Sequence, residues 1–220
     1  MKTFHSLALA ALVIFFSAAV PAAAELAPVA VAARLQQTYD RTTTLSADFK
    51  QLTSMPMQRR ERRGSGTMVL QKPGRIRWNY LTPDFQVLVS DGTTVSMYFA
   101  KNQQMMIMDA TRYLASDVTY AFFVGNGKIV DDFDVLPPEA APPLEGGTYC
   151  IKLVPKKNHP QLQYLHLWVD SDTWLVTRIQ LVDQLNTVTD LSFANITTNR
   201  PVPAETFTFT PPPDTEIIQQ

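Results

Sequence analysis

The chain is poor in the residues that form covalent cross-links and metal centres. Its 220 residues include one cysteine and three histidines. A single cysteine, Cys150, excludes an intramolecular disulfide, and zinc-site spacings such as Cys-x-x-Cys or His-x-x-His are missing. Alternating apolar neighbours indicate that Cys150 lies in a strand, where a lone cysteine is typical of a small buried hydrophobic residue. We therefore expect neither a disulfide nor a metal centre.

Catalytic motifs are missing as well. The sequence has no Gly-x-Ser-x-Gly elbow and no glycine-rich phosphate loop. Asp131, Asp132 and Asp134 lack the spacing of a calcium-binding loop and are interpreted as part of a solvated loop. His159 is interpreted as a turn residue, and His166 as a residue on the polar face of a strand. The sequence therefore predicts no enzyme and no cofactor.

The chain also lacks an excess of either charge. Nineteen basic and 20 acidic residues leave a net charge of -1. This balance argues against nucleic acid as a partner, and the lack of a long run of one sign argues against an anionic membrane. One short charged cluster, residues 59–63, is interpreted as the solvated tip of a hairpin.

A long apolar run occurs at the N terminus. Residues 1–24 predict a cleaved secretory signal, because Lys2 precedes an apolar segment and an Ala-x-Ala site precedes Glu25. A retained anchor is the alternative, and a lipid-modified N terminus is not expected without a nearby cysteine. The remaining residues, 25–220, are predicted to form one exported domain.

The pattern of apolar residues in the rest of the chain predicts one helix followed by many strands. Residues 28–39 predict a helix, since Val31, Leu35 and Tyr39 fall on one stripe. Alternating apolar residues then predict strands joined by short polar turns. These strands fall at residues 45–51, 67–70, 75–80, 87–91, 95–99, 104–108, 148–155, 164–169, 174–182, 188–193 and 206–209. The pattern indicates a mainly β (α+β) protein with an antiparallel sheet that curls toward a barrel.

A segment of different character interrupts the strands near the middle of the chain. Residues 111–124 place apolar side chains at helical spacing, and Gly125 supplies a stop. Residues 127–145 contain four prolines, so a short helix followed by an extended loop is the most that fits. A helical insertion at this point can cover the mouth or the open face of the sheet.

Methionine is concentrated in the predicted strands, at Met68, Met97, Met105, Met106 and Met108. Methionine adapts to irregular shapes and suits a surface that must accept varied apolar guests. An ordinary core is the other interpretation, and composition alone favours it.

The inward face of the sheet is chosen from the strand at residues 75–80. Ile76 and Trp78 alternate with Arg75 and Arg77. We expect the face of Ile76, Trp78 and Tyr80 to point inward, because this choice leaves both arginines in solvent.

Several motifs occur together in a fixed order along the chain. They are Phe49-x-Gln51, Gly66, Lys72-Pro73-Gly74-Arg75-Ile76-Arg77-Trp78-x-Tyr80, Pro83, Leu88-Val89-Ser90-Asp91-Gly92, Tyr98 and Phe207-x-Phe209-x-Pro211-Pro212. The ordered set resembles the LolA-type periplasmic lipoprotein carriers, and the resemblance covers most of the chain after the predicted signal.

The resemblance implies an incomplete β-barrel closed by the N-terminal helix and by a helical lid at about residues 110–145. It implies an apolar cavity for the acyl chains of lipoproteins, with residues from the inward face and the lid as its lining. The expected lining is Phe49, Met68, Leu70, Ile76, Trp78, Tyr80, Leu88, Met97, Met106, Met108, Leu114 and Phe122.

The same resemblance implies a location and a set of partners. A monomer in the periplasm would receive acylated lipoproteins from an inner-membrane ABC-type releasing complex. It would pass them to an outer-membrane acceptor lipoprotein, where one is present.

Lys72 departs from the family pattern. The family has an arginine at this position that ties the barrel to the lid, and lysine lacks the planar fork that can bind several carbonyls at once. We hypothesise that Lys72 still latches the lid through backbone carbonyls, but more loosely. A solvated turn lysine is the alternative.

Other functions remain open on the sequence. The protein could carry another lipid or a glycolipid, since an apolar cavity does not specify a headgroup. It could also be a lipoprotein-sensing regulator of the same fold, although those proteins usually carry a second domain and this chain is too short for one. A hydrolase is a more distant alternative.

Overall fold

The computed structural model describes residues 26–111, 113, 127–139 and 147–219. The predicted signal peptide and most of the predicted helical insertion lie outside the described residues, so both remain predictions. The described part is mostly strand, arranged as one large curved sheet that does not close. The predicted mainly β fold is therefore confirmed.

Helix α1, Pro28–Arg41, precedes the sheet and lies against it. Proline has no backbone N–H, but an N–H in the first turn would have no partner within the helix, so no hydrogen bond is lost there. The apolar stripe is buried on the sheet: Val31, Leu35 and Tyr39 are less than a twentieth exposed. The predicted helix is confirmed, with its end at Arg41 instead of Tyr39.

The strands in chain order are β1 Thr44–Met55, β2 Arg60–Gln71, β3 Arg75–Thr82, β4 Gln86–Asp91, β5 Thr94–Phe99, β6 Gln104–Asp109, β7 Phe133–Leu136, β8 Thr148–Pro155, β9 Tyr164–Asp170, β10 Val176–Val182, β11 Val188–Thr198 and β12 Glu216–Gln219. A short helix, α2, Ile129–Asp132, precedes β7. Within the described residues the sheet order is β12-β6-β5-β4-β3-β2-β1-β11-β10-β9-β8-β7. Neighbouring strands are antiparallel, except that β12 runs parallel to β6.

Strand β1 joins the two halves of the sheet. It pairs with β2 on one side and with β11 on the other. A register shift between Ser46 and Asp48 interrupts the β11 side, and such a bulge increases the local twist that curls a sheet. The inner face of this sheet, together with α1, forms the main hydrophobic core.

A second, smaller core lies on the outer face of the sheet. Val87, Val89, Tyr98 and Met105 are buried there under Phe207, which comes from the C-terminal segment. The prediction of a strand at residues 206–209 is therefore wrong. Phe207 and Phe209 pack onto strands that lie far away in the sequence. The backbone carbonyl oxygens of Thr206 and Thr208 accept hydrogen bonds from the Arg77 side chain instead of from a neighbouring strand.

Other element boundaries also differ from the sequence predictions. Trp174 was predicted to begin a strand, but it has a φ of 58° in the turn before β10. Strands β7 and β12 were not predicted, because each is short and lies beside prolines. Residues 59–63 are exposed as predicted, but Arg60–Arg63 extend β2, and the turn itself is a 3-10 helix at Pro56–Gln58.

Candidate functional site

An apolar row crosses six neighbouring strands on the inner face. Each member is the cross-strand partner of the next, from β1 to β6. The row is Ala47, Met68, Trp78, Leu88, Met97 and Met106. Cross-strand partners on one face have their Cβ atoms about 5 Å apart, so these side chains form one continuous surface.

A second row runs parallel to the first. It is displaced by two residues along each strand, toward the end of the sheet where α1 ends. Its members, again in cross-strand register, are Leu45, Leu70, Ile76, Ser90, Val95 and Met108. Ser90 is the single polar side chain in the row, and its Oγ accepts a hydrogen bond from the Gly92 backbone N–H at 3.1 Å. These two rows of the inner face are therefore apolar except for Ser90.

Burial along these rows changes from one side to the other. Met68 and Trp78, on β2 and β3, are buried. Met97 on β5, and Met106 and Met108 on β6, are only half-buried. We name Met97, Met106 and Met108 the methionine strip. Because methionine is flexible and polarizable, this strip offers apolar contact area that can adapt to a guest.

Aromatic rings fill the centre of the inner face. The Phe49 ring lies edge-on to Trp78 and to Tyr80, with ring centres 4.7 and 4.8 Å apart. The Tyr80 hydroxyl donates to Gln51 Oε1 at 2.8 Å, so this half-buried tyrosine keeps its polar atom paired. Gly66 lies opposite Phe49, and a Cβ there would be 1.8 Å from the Asn79 carbonyl oxygen.

The structure places ten of the twelve predicted lining residues on the inner face. They are Phe49, Met68, Leu70, Ile76, Trp78, Tyr80, Leu88, Met97, Met106 and Met108. Leu114 and Phe122 lie outside the described residues. Whether these side chains line a cavity stays a prediction.

Lys72 lies in the turn between β2 and β3. Its Nζ donates a hydrogen bond to the Tyr39 backbone carbonyl at the end of α1, where a cation also interacts favourably with the helix dipole. Burial lowers the pKa of Lys72, and the nearby Asp40 carboxylate partly opposes this shift. The described contact therefore anchors α1. The predicted lid contact involves residues outside the described part, so the latch stays a prediction.

Tyr39 ties the same helix end to the other half of the sheet. Its Oη accepts a hydrogen bond from the Val176 backbone N–H at 3.3 Å, and burial raises the pKa of this phenol. The last turn of α1 is thus held to the β2–β3 turn through Lys72 and to the start of β10 through Tyr39. These contacts fix α1 over the inner face.

Arg77 was predicted to stay in solvent, and this prediction is wrong. Its guanidinium donates to the carbonyl oxygens of Thr206 and Thr208, both at 2.9 Å, and its Nε donates to Asn79 Oδ1. Burial lowers the pKa of Arg77. Sequence reasoning missed this role because the partner carbonyls lie about 130 residues away, in a segment misread as a strand.

The outer face of β8–β11 carries charged side chains that pair with one another. Arg178 donates to both carboxylate oxygens of Asp190, and its guanidinium lies 4.4 Å from the centre of the Trp168 ring. Lys152 is buried and donates to Glu139 Oε1 at 2.7 Å. Each charge thus has a partner, which is the arrangement of a structural network.

His166 and Cys150 lie on this same outer face. His166 Nδ1 is 3.4 Å from Gln180 Oε1, and burial lowers the pKa of His166. Cys150 is buried as predicted, and burial raises the pKa of its thiol to about 11. A thiol held neutral in this way is a poor nucleophile.

Two kinds of feature are absent from the described residues. No group of three or more histidine, cysteine, aspartate or glutamate side chains there is arranged to hold a metal ion. Within the same ranges, no helix combines the length and the apolar character needed to cross a membrane.

Fold and site together define a class of protein: a curved, unclosed sheet with a helix on its inner face and a soft apolar surface beside it. Residues 40–210 match the family described as outer membrane lipoprotein carrier protein LolA. The chain belongs to this family.

Individual relatives agree with the family match. An outer-membrane lipoprotein carrier protein from Pseudomonas fluorescens is 30% identical over 86% of this chain and 88% of its own length. One from Legionella pneumophila is 29% identical over 84% and 88%. An uncharacterized conserved protein from Thermus thermophilus, known from a crystal structure, has a TM-score of 0.56 at 13% identity. The match covers 87% of this chain and 98% of that one, and at that identity the likeness shows the fold alone.

Proposed function

We propose that this protein is a periplasmic carrier that shields the acyl chains of lipoproteins on their way from the inner to the outer membrane. The observation that carries the proposal is the apolar row on the inner face, which passes from buried side chains on β2 and β3 to the half-buried methionine strip on β5 and β6. Membership of the lipoprotein carrier family supports the same conclusion.

The physical need for such a carrier follows from the hydrophobic effect. Each acyl methylene exposed to water costs about 0.8 kcal/mol, so a lipid-anchored protein cannot cross an aqueous space without a cover. The cover must also release its cargo. A soft apolar surface gives affinity through contact area, without the fixed polar bonds that would hold one ligand in place.

The ends of the route are part of the proposal. An inner-membrane ABC-type complex would load the carrier, and an outer-membrane acceptor would unload it. The acyl chains would lie along the methionine strip, and the segment after β6, which begins with helical residues 110, 111 and 113, would cover them. In this arrangement Tyr113, which packs against the main core, would mark the hinge side of the lid.

Native mass spectrometry of the mature protein from a periplasmic extract, followed by lipid extraction, tests the proposal. We expect a co-purified acylated lipoprotein. A bound free lipid would support a carrier of another lipid. A protein that is empty, and that also fails to take lipoprotein from inner-membrane vesicles supplied with ATP, would contradict both forms of the carrier proposal.

A further inference from the structure

The hairpin between β1 and β2 extends past the end of β3. The two strands pair up to Met55 and Arg60, but β2 pairs with β3 only from Ser65, whose partner is Thr82. In the part of the chain that the structure describes, residues 60–64 therefore have a neighbouring strand on one side alone. At about 3.3 Å per residue, these five residues extend about 16 Å past the end of β3. We name residues 55–64 the projecting hairpin.

The projecting hairpin is basic, although the chain as a whole has a net charge of -1. Four of its residues are arginines and one is Glu61, and all five are exposed. Side chains alternate along β2, so Arg60 and Arg62 point to one face and Arg63 to the other. Arg63 pairs with Glu61 at 3.3 Å on the surface, and such an exposed pair contributes little to stability.

Charges on an unpaired strand edge also protect against edge-to-edge aggregation, which is a purely structural reason for them. That reason does not account for the tip. Met57, at the end of the projecting hairpin, is 81% exposed. An apolar side chain is thus exposed at the tip, and arginines follow it on both faces of β2.

More exposed apolar side chains lie at the same end of the sheet. Leu81 and Phe85 flank the β3–β4 turn and are 58% and 42% exposed. Leu185, in the turn between β10 and β11, is 65% exposed. The antiparallel register places all three turns at one end, so an apolar rim accompanies the basic hairpin.

We propose that the projecting hairpin docks end-on onto a membrane surface that contains anionic phospholipid. Met57 would enter the boundary between headgroups and acyl chains, and the arginines behind it would bond lipid phosphates. An apolar tip with arginines on both faces fits a planar anionic surface, because an end-on approach brings both faces of the hairpin to the same depth among the headgroups. This surface lies beyond the apolar rows of the proposed acyl-binding face and can be tested without cargo.

The test measures co-sedimentation of the mature, cargo-free protein with vesicles. We expect binding to vesicles of phosphatidylcholine mixed with phosphatidylglycerol, and little binding to phosphatidylcholine alone. Binding should weaken as salt is added. Since each basic residue near an anionic surface strengthens binding about fivefold, the R60Q/R62Q/R63Q variant should bind on the order of 100-fold more weakly.

A matched control removes three positive charges elsewhere on the surface. Arg41, Lys50 and Lys157 are exposed and lie outside the projecting hairpin. The R41Q/K50Q/K157Q variant should retain anionic vesicle binding to within a few-fold of the unmodified protein. Equal losses in the two triple variants would overturn the proposal, because binding would then depend on net charge and not on the hairpin.

A fluorescent reporter at the tip tests insertion directly. In a Cys150→Ser background, Met57→Cys can be labelled with an environment-sensitive dye. We expect a blue shift when anionic vesicles are added, and no shift with phosphatidylcholine alone. Lack of vesicle binding, together with hairpin-dependent binding to polyglutamate, would overturn the lipid proposal and assign the hairpin to an acidic protein partner.

Discussion

The two faces of strands β4–β6 carry similar residues but are covered in different ways. On the outer face, Val89, Tyr98 and Met105 are buried under the C-terminal segment. On the inner face, the methionine strip of Met97, Met106 and Met108 stays half-exposed. Met105 and Met106 are adjacent in the chain, so their different burial results from what lies over each face.

This difference indicates that one sheet can be covered permanently on its outer face and by a replaceable guest on its inner face. The outer face is closed by the protein's own tail, which Arg77 fixes through two backbone carbonyls. The inner face keeps apolar area that the described residues do not fully cover, and that area can gain free energy when a guest covers it. A methionine on the outer face is therefore structural, and a methionine in the strip is a candidate for binding.

The largest effect on stability is expected from a substitution in the buried outer face. Met105→Ala should lower the free energy of unfolding by about 3 kcal/mol, because a buried side chain is removed and a cavity remains. Urea unfolding measures this change. Binding of a fluorescent fatty acid should be unaffected once the variant is folded. A loss of binding without a loss of stability would reverse the roles assigned to the two faces.

Arg77 gives the next largest effect. Arg77→Ala should cost about 2 kcal/mol, since two carbonyls lose a charged donor. Arg77→Lys should recover only part of this, because an ammonium group lacks the fork geometry. Arg75, half-buried at the start of the same strand, is the matched control, and Arg75→Ala should change stability by less than about 0.5 kcal/mol.

These two arginines also show what the sequence could and could not predict. Alternation in β3 was enough to choose the inner face, because Ile76 and Trp78 cannot share a buried surface with charged neighbours. The same alternation says nothing about what covers the opposite face. That cover is the C-terminal segment, and its contact with Arg77 depends on the whole fold being in place.

The tail was misread for a related reason. Phe207 and Phe209 alternate with threonines, a pattern that an exposed strand and a segment lying flat on a distant sheet share. The actual last strand, β12, follows three prolines and spans only Glu216–Gln219, too short to give a periodic signal. Strands β8 and β9 were predicted to within one residue at each end, because their apolar residues continue to the turns that bound them. The longer strands β1, β2 and β11 were predicted too short, because each continues into a polar stretch.

A smaller effect should separate Met106 from Met105 in binding. Met106→Ser should leave the free energy of unfolding within about 1 kcal/mol of the unmodified protein, since the side chain is already half-exposed. It should weaken fatty-acid binding about fivefold, the equivalent of about one methylene of lost apolar contact. Displacement of a fluorescent fatty acid measures the affinity.

Met106→Leu is the matched control for this variant. Leucine keeps the apolar area and nearly the volume, so its affinity should stay close to that of the unmodified protein. If the serine variant bound as tightly as the leucine variant, the methionine strip would not be the binding surface, and the inner face of β5 and β6 would be core alone.

The smallest expected effect is a dependence on pH. A change in pH should alter stability through the outer face and leave fatty-acid affinity at the methionine strip nearly unchanged. The strip contains no titratable group, so fatty-acid affinity at Met97, Met106 and Met108 should change little with pH while the ligand stays ionised. His166, on the outer face of β9, has a pKa lowered from its ordinary value of 6.5, chiefly by burial. The folded protein thus resists protonation at this site more than the unfolded chain does.

The sign of the pH effect follows from this difference in proton binding. As pH falls through 6.5, the unfolded chain takes up a proton at His166 before the folded protein does, so stability decreases until the folded pKa is passed. Replacement by a side chain that does not titrate, in His166→Gln, should flatten this part of the profile. Urea unfolding between about pH 7.5 and about pH 5 measures the difference in free energy of unfolding between the two proteins. Carboxylates that titrate in both proteins contribute equally to each profile and cancel in this difference. Identical profiles would show that His166 is as accessible to protons in the folded protein as in the unfolded chain, and the outer face of β9 would then be more open to water than that of β4–β6.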